Sequence, residues 1–390
     1  MRILVASQLE QSALRQLQQR HDVICTFDQP KADLSSLAHD REVLVFRSGV
    51  EITRALMDCA PDLRLLVRAG CGLDNLDCEY VRKRGIVLRR ISEPAAQAVA
   101  EMALALMFAL ARNIRQADTM LRRGQWAKDT LEGHLLAGKV LGIVGAGNIG
   151  SRLGVLASSV GMEPIGCIAD STPAIVQTLR DKGITVADFH TVLATADFVS
   201  VHVPLNDSTR NLINRKALSL MKKGSYLINL ARGGVVDETA LYAALATGRL
   251  CGAALDVHER EGQGQISPLA QLSNVVLTPH IGASTVETQQ QIGVRVVEII
   301  EAFVQQSEQQ SIQQSMTAAR READIRVTPG AKLAHKRKSK LPLSYKTAYK
   351  TYENPGRKPP GTIRPPSTTA TPRRNLHVRS ANSRPVLARP

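Results

Sequence analysis

The amino-acid sequence predicts an α/β protein built from doubly wound parallel sheets, and three observations carry that prediction. Short apolar runs of strand length alternate with helical periodicity through roughly the first 310 residues. A Gly-x-Gly-x-x-Gly turn at 145–150 joins one such run to one such helix. Three polar motifs follow the turn, each at the C-terminal end of a later run. Strands separated by helices imply a parallel sheet covered on both faces, because a parallel crossover needs a helix-length connection.

Residues 2–6 form the first strand, and Ser7-Gln8-Leu9-Glu10 is a capping box for a helix whose apolar face includes Leu9, Ala13, Leu14 and Leu17. Runs at 21–27, 42–46, 63–67 and 85–88 continue the first unit, which ends near Ile91. Pro94 opens a helix, and 95–113 is apolar almost all round. Such a helix must be buried, whether between domains, between subunits or in an ordinary core. Trp126 and a polar loop to His134 lead into the second unit.

That unit begins with a buried strand at Val140 to Val144, the glycine turn, and a helix patterned by Leu153, Leu156, Ala157 and Val160. Strands follow at 164–168, 198–203, 226–230, 252–257 and 275–277, with helices over 214–221 and 239–247. Ser284-Thr285-Val286-Glu287 is a second capping box, starting an amphipathic helix to about Gln305. From Met316 the apolar period ends and ten of the 18 prolines appear, so 316–390 is expected to be disordered.

Charge divides at the same place. Of 50 Lys+Arg and 35 Asp+Glu, 18 and 3 fall in 316–390, so the formal +15 belongs to this tail and the body is neutral. Contact with nucleic acid or an acidic surface is therefore an expectation for the tail alone. A solvated charge run explains it more simply, since aromatic stacking residues are not interleaved. A segment foreign to the original gene would look the same. The six cysteines, at 25, 59, 71, 78, 167 and 251, lack Cys-x-x-Cys spacing and fit reduced thiols rather than a metal site. The chain starts directly in a strand, without a signal peptide, and its longest apolar run, 102–111, is too short to span a bilayer. A cytoplasmic protein without membrane association is expected.

The glycine turn has a physical reading. Gly145 makes the tight turn, Gly147 lets a pyrophosphate approach the backbone, and Gly150 lets helix pack on strand. The strand-end motifs are Asn229-Leu230-Ala231-Arg232-Gly233-Gly234, Asp256-Val257-His258-Glu259-Arg260-Glu261 and Thr278-Pro279-His280-Ile281-Gly282-Ala283. That sheet edge is where ligands bind. Arg232 offers a two-pronged donor to a substrate carboxylate, and His280 can exchange a hydroxyl proton near neutral pH. Glu261, bonded to the ring, favours its charged form and orients it. This set suits hydride transfer between a nicotinamide and a 2-oxo or 2-hydroxy acid. Singly, Arg232 reads as a surface ion pair, Glu261 as a solvated loop residue and His280 as a cap beside Pro279; the combination argues for chemistry.

The chain resembles the D-isomer-specific 2-hydroxyacid dehydrogenase family, especially its phosphoglycerate dehydrogenase-like branch. The resemblance covers about residues 1–310, through Arg68-Ala69-Gly70-Cys71-Gly72-Leu73-Asp74-Asn75, the glycine turn, Val201-His202-Val203-Pro204-Leu205, and the Arg232, Asp256 and His280 motifs. It implies two Rossmann-like domains, the first (1–94) discontinuous and completed by 284–312, the second (95–283) binding the dinucleotide. It also implies a homodimer through the 95–113 region. By resemblance, Arg232 orients substrate, Glu261 is the carboxylate partner and His280 the acid/base. Asn148 and Ile149 fall at the pyrophosphate turn, and Cys71, Val203, Leu230, Ala231, Asp256, Gly282 and Ala283 line the cofactor site. Arg47, Ser48 and Gly49, with Gly70 to Gly72, match loops closing on substrate. Nothing after Met316 resembles the branch's C-terminal serine-sensing domain.

Two departures stand out. Gly262 follows Glu261 where the family usually has proline, which loosens that loop. Ile168 stands where the family has its ribose-binding acid; Asp170, 20 residues after Gly150, is the nearest substitute. NAD is the expected cofactor, with NADP, accommodated by Ser171 and Thr172, as the alternative. The expected activity is D-3-phosphoglycerate dehydrogenase-like. The alternatives are a glyoxylate or hydroxypyruvate reductase, or a dinucleotide-sensing corepressor of the same fold, and Arg47, Arg54 and Arg68 are candidate phosphate ligands.

Overall fold

The computed structural model describes residues 1–28 and 33–326. Five strands, β1 (Arg2–Val5), β2 (Asp22–Cys25), β3 (Val43–Phe46), β4 (Leu65–Arg68) and β5 (Val87–Arg90), form a parallel sheet in the order β2-β1-β3-β4-β5. Seven more form a second parallel sheet. They are β6 (Val140–Val144), β7 (Glu163–Cys167), β8 (Thr185–Val186), β9 (Phe198–Val201), β10 (Tyr226–Asn229), β11 (Gly252–Leu255) and β12 (Val275–Leu277), ordered β12-β11-β10-β9-β6-β7-β8. Strand order reverses beside β6, which places the glycine turn at the switch point.

Helices α1 (Gln11–Arg20), α2 (Leu34–Ala38), α3 (Arg54–Asp58) and α4 (Cys78–Lys83) connect the first sheet. Next come α5 (Glu93–Ala111) and α6 (Ile114–Arg122), then α7 (Asn148–Ser159), α8 (Pro173–Asp181), α9 (Phe189–Thr195), α10 (Arg215–Leu220) and α11 (Glu238–Ala246) around the second. The long α12 (Val286–Arg326) follows. Its Ile292, Val296 and Ile300, four residues apart on one face, join Ile3, Val5, Leu14, Leu17 and Leu65 in a core under the first sheet. Each such fully buried side chain contributes roughly 1.5–3 kcal/mol.

Helix α5 buries ten residues and packs with Leu141, Ile143, Leu153, Phe198 and Ile228 of the second sheet's core. It is the one helix among the described residues long and apolar enough to cross a membrane, over a window of mean hydropathy 1.6. Its packing against the second sheet accounts for that apolarity.

Four local expectations change. Helix α1 is capped by Glu10, whose carboxylate accepts from the amides of Ser12 (2.9 Å) and Ala13 (3.0 Å). The Ser7 hydroxyl instead accepts from the amide of Arg47 at 3.0 Å. Helix α12 is capped by Thr285, whose hydroxyl accepts from the Thr288 amide at 3.1 Å. It also runs to Arg326, past Gln305 and into the segment expected to be disordered from Met316. The expectations for the rest of that tail, 327–390, fall outside the described residues. Among the elements that the pattern did not mark are β8 and α6. β8 has only two residues, too few to show a period, and α6 begins after Asn113 turns through the left-handed region (φ 52°).

Candidate active site

The glycine turn is compelled partly by packing and partly by nothing in the protein. Gly145 lies at φ +95°, and a Cβ there would come within 2.7 Å of the His202 carbonyl and 2.8 Å of Val203 Cγ1. A Cβ on Gly150 would meet the Gly145 carbonyl oxygen at 2.4 Å. A Cβ on Gly147 would meet nothing within 4 Å. The middle glycine therefore leaves a bare patch of backbone at the start of α7, the place a pyrophosphate would use, and the turn fits a dinucleotide. The Gly145 and Ala146 amides both donate to the Cys167 carbonyl at 3.0 Å, docking the end of β7 beside the turn. Ile168 packs against the second sheet's core there, and Asp170 is exposed. Asn148 donates to Glu93 at 2.7 Å, and Arg152 pairs with the same carboxylate. Beneath the turn the half-buried His202 is bonded to the Ser200 hydroxyl at 2.8 Å, and desolvation pushes its pKa down to about 4, so the ring is neutral.

His280 is set by Asp256, which is 2% exposed just beyond β11. The Asp256 carboxylate accepts from the Thr278 hydroxyl (2.6 Å) and the amides of Ile281 (2.9 Å) and Gly282 (2.7 Å). Its carbonyl accepts from the His280 amide at 2.8 Å. These bonds hold His280 at φ +56°, a region that side-chain-bearing residues seldom occupy. The ring Nδ1 lies 2.9 Å from Glu261 Oε2, leaving Nε2 for proton exchange, and Glu261 Oε1 accepts from the His258 amide at 3.1 Å. Burial raises the Glu261 pKa, but His280 and the His258 amide outweigh it and hold the carboxyl below its ordinary value.

Arg232 follows β10, where buried Asn229 turns the chain by accepting from the Ala231 amide (3.0 Å) and donating to the Arg232 carbonyl (3.1 Å). The guanidinium donates from Nε to Asp74 at 2.9 Å and from Nη1 to the Ala231 carbonyl at 2.7 Å. Nη2 lies so near Gly72 that a Cβ there would fall 1.6 Å from it. Burial raises the Asp74 pKa, and Arg232 more than reverses that rise. Arg68, 3% exposed, donates to the Gly72 carbonyl at 2.8 Å, and burial with Arg232 nearby lowers its pKa to about 10. The Cys71 thiol, raised by burial, stays protonated and donates to the Ser92 carbonyl at 3.4 Å.

One cleft gathers much of the expected set. The first-sheet loops bring Arg47, Ser48, Arg68, Gly70 and Cys71 to it. The second-sheet side brings Ile149, Leu230, Arg232, Asp256, His280, Gly282 and Ala283. Other expected residues stand outside it. Glu261 lies behind His280, Gly72 behind Arg232, Val203 against Gly145, and Ala231 is buried with its carbonyl on Arg232. Gly49 sits at φ +87° in the loop after β3, and Arg47 reaches Gln289 of α12. Arg54 is no cleft residue, since its guanidinium lies over the Tyr80 ring, 4.7 Å from the centroid. The pairings of Asp74 with Arg232 and of Glu93 with Asn148 leave no mark in the sequence. Asp74 sits in the Arg68-to-Asn75 motif, but only the fold shows which arginine it meets.

The family described as D-isomer specific 2-hydroxyacid dehydrogenase, NAD binding domain, matches residues 104–282. The chain is 38% identical over 302 residues to a hydroxypyruvate reductase of Thermotoga maritima, covering 77% of this chain and 97% of the relative. It is 39% identical over 299 residues to a D-3-phosphoglycerate dehydrogenase of Methanocaldococcus jannaschii, covering 77% of this chain but only 56% of that longer relative. Among solved structures, a D-lactate dehydrogenase from Aquifex aeolicus complexed with NAD and lactic acid superimposes with a TM-score of 0.70 at 28% identity, covering 79% of this chain and 97% of that one.

Proposed function

Because the chain belongs to the D-isomer specific 2-hydroxyacid dehydrogenase family, we propose that it transfers a hydride between NAD(H) and a small D-2-hydroxy acid or its 2-oxo form. The observation that carries this reading is the 2.9 Å pair of His280 and Glu261, with His280 on the cleft that also holds Arg232. A bound nicotinamide supplies or accepts the hydride. Arg232 holds the substrate carboxylate and polarises the ketone. In reduction, His280 releases a proton from Nε2 to the carbonyl oxygen, while Glu261 on Nδ1 keeps the ring oriented. Closure of 1–94, completed by 284–312, on 95–283 excludes water. With Ile168 at the position of the family's ribose-binding acid, NAD selectivity over NADP rests on Asp170, two residues further on.

Arg47, Arg68 and Arg232 face the cleft against the carboxylates of Asp256, which is on the cleft, and of Asp74, which is on Arg232. That excess of positive charge favours a substrate with a second anionic group, of the 3-phosphoglycerate kind. Hydroxypyruvate or glyoxylate is the second reading, favoured by the 97% coverage of the reductase relative. Initial rates with 3-phosphohydroxypyruvate, hydroxypyruvate and glyoxylate, each with NADH and NADPH, decide between them. NADH binding without turnover of any, and no effect of His280→Ala, would sink the enzymatic reading.

The protein works as a homodimer. On α6 and the end of α5, Phe108, Ile114 and Leu121 are 37%, 53% and 59% exposed around a shallow apolar hollow, a surface that a second copy would cover. All six cysteines are unpaired, which supports a cytoplasmic setting.

A further inference from the structure

We propose that Glu238, which lies outside the cleft, is a positioning residue that holds Glu261 against His280 by clasping the 259–267 loop at both ends; this rests on the dehydrogenase reading above. Glu238 opens α11 and is only 7% exposed. Its Oε1 accepts from the Glu259 amide at 2.7 Å, and its Oε2 accepts from the Ser267 hydroxyl at 2.8 Å. Its own amide donates to the Glu259 carboxylate at 3.1 Å, so the first clasp is reciprocal. A buried carboxylate is stable only when its oxygens are satisfied, and both of these are satisfied by the loop.

The loop between the clasps has little stiffness of its own. Gly262 lies at φ +127° and Gly264 at φ +79°, and a Cβ on either would touch nothing within 4 Å. One backbone bond, from the Gln265 amide to the Gly262 carbonyl at 3.2 Å, ties its middle. Yet this loop carries Glu261, which must stay 2.9 Å from His280. Two adjacent amides share the task, since His258 donates to Glu261 and Glu259 donates to Glu238. Releasing the second lets the loop swing and moves the carboxylate off the ring. Misplacement by about 1 Å can lower a rate roughly a hundredfold.

The test compares Glu238→Ala, Glu238→Gln and Ser267→Ala with the parent in the reduction of whichever 2-oxo acid the panel identifies. Glu238→Ala is expected to lower kcat roughly 10- to 100-fold with KM nearly unchanged, and to move the alkaline limb of the kcat–pH profile toward acid. Combined with Glu261→Gln it should lower kcat no further than Glu261→Gln alone. Glu238→Gln keeps an acceptor for the Glu259 amide and should stay within about threefold of the parent. Ser267→Ala opens one clasp and should show the same limb shift to a smaller degree, which also covers an Ala variant that fails to fold. Trypsin cleavage after Arg260 should quicken in Glu238→Ala, a readout independent of turnover. An unchanged pH limb in Glu238→Ala or, if it does not fold, in Ser267→Ala, or losses that multiply with Glu261→Gln, would overturn the proposal. Absence of turnover in the parent would instead overturn the dehydrogenase reading, with the trypsin rate still reporting on the clasp.

Discussion

Gly72→Ala offers a test of whether the observed orientation of Arg232 is the working one. The added Cβ would lie 1.6 Å from Arg232 Nη2 and 2.5 Å from Asp74 Oδ1, so the guanidinium must leave Asp74. The backbone at Gly72 is not in the left-handed region, so alanine adds bulk without dihedral strain. Evicted, Arg232 loses its two-pronged hold on the substrate carboxylate. A hydrogen bond to a charged group is worth about 1.5–3 kcal/mol, so two lost bonds amount to roughly 3–6 kcal/mol, or about 10²- to 10⁴-fold in kcat/KM. The Arg232–Asp74 pair is partly exposed, at 19% and 33% of its side chains, so its loss should change folding stability by only about 1 kcal/mol. Initial rates of NADH oxidation, with NADH affinity by fluorescence as the control, measure this. NADH binding should be unchanged. A Gly72→Ala enzyme within threefold of the parent would show that Arg232 does not hold substrate in this position.

Further outcomes follow from other parts of the site. His280→Ala and Glu261→Gln should each lower kcat by roughly 10²–10⁴-fold, read in steady-state assays, because each removes part of the proton-exchange pair. His202 has a folded pKa near 4 against 6.5. The stability linked to its neutral form is complete above pH 6.5 and lost as the pH falls toward 4, by up to about 3 kcal/mol. Urea unfolding at pH 7 and 4.5 should show that loss in the parent and less of it in His202→Asn. Leu121→Asp, on the exposed α6 face, should give monomers by light scattering, and an unaltered mass would refute the dimer surface. Ile168→Asp should raise the preference for NADH over NADPH, measured as the ratio of kcat/KM values.

Much of this was legible in the sequence because it is local. The strand–turn–helix at 140–159 carries its own signal, since Gly150 is demanded by the Gly145 carbonyl and Ile143 within a few residues and Gly145 by its own φ of +95°. The convergence of Arg232 and His280 followed from parallel topology, which puts strand ends on one edge. What stayed hidden depends on distance in sequence. Asp74 meets Arg232 across 158 positions, and Glu93 reaches Asn148 across 55. Neither pairing leaves a periodic trace. Local rules also failed where two caps competed: Ser7 fits a capping box, but its hydroxyl serves Arg47, and Glu10 takes over the helix start.

The three glycines of the turn answer to different masters over evolutionary time. Gly145 and Gly150 are crowded by the protein itself, so any descendant that keeps the fold must keep them. A Cβ on Gly147 would meet nothing within 4 Å, and the fold alone would tolerate a side chain there. Only a molecule lying on that backbone can select against one. A lineage that lost its dinucleotide while keeping its architecture would be free to drift at 147 first, which makes that single position a gauge of whether the site is still in use.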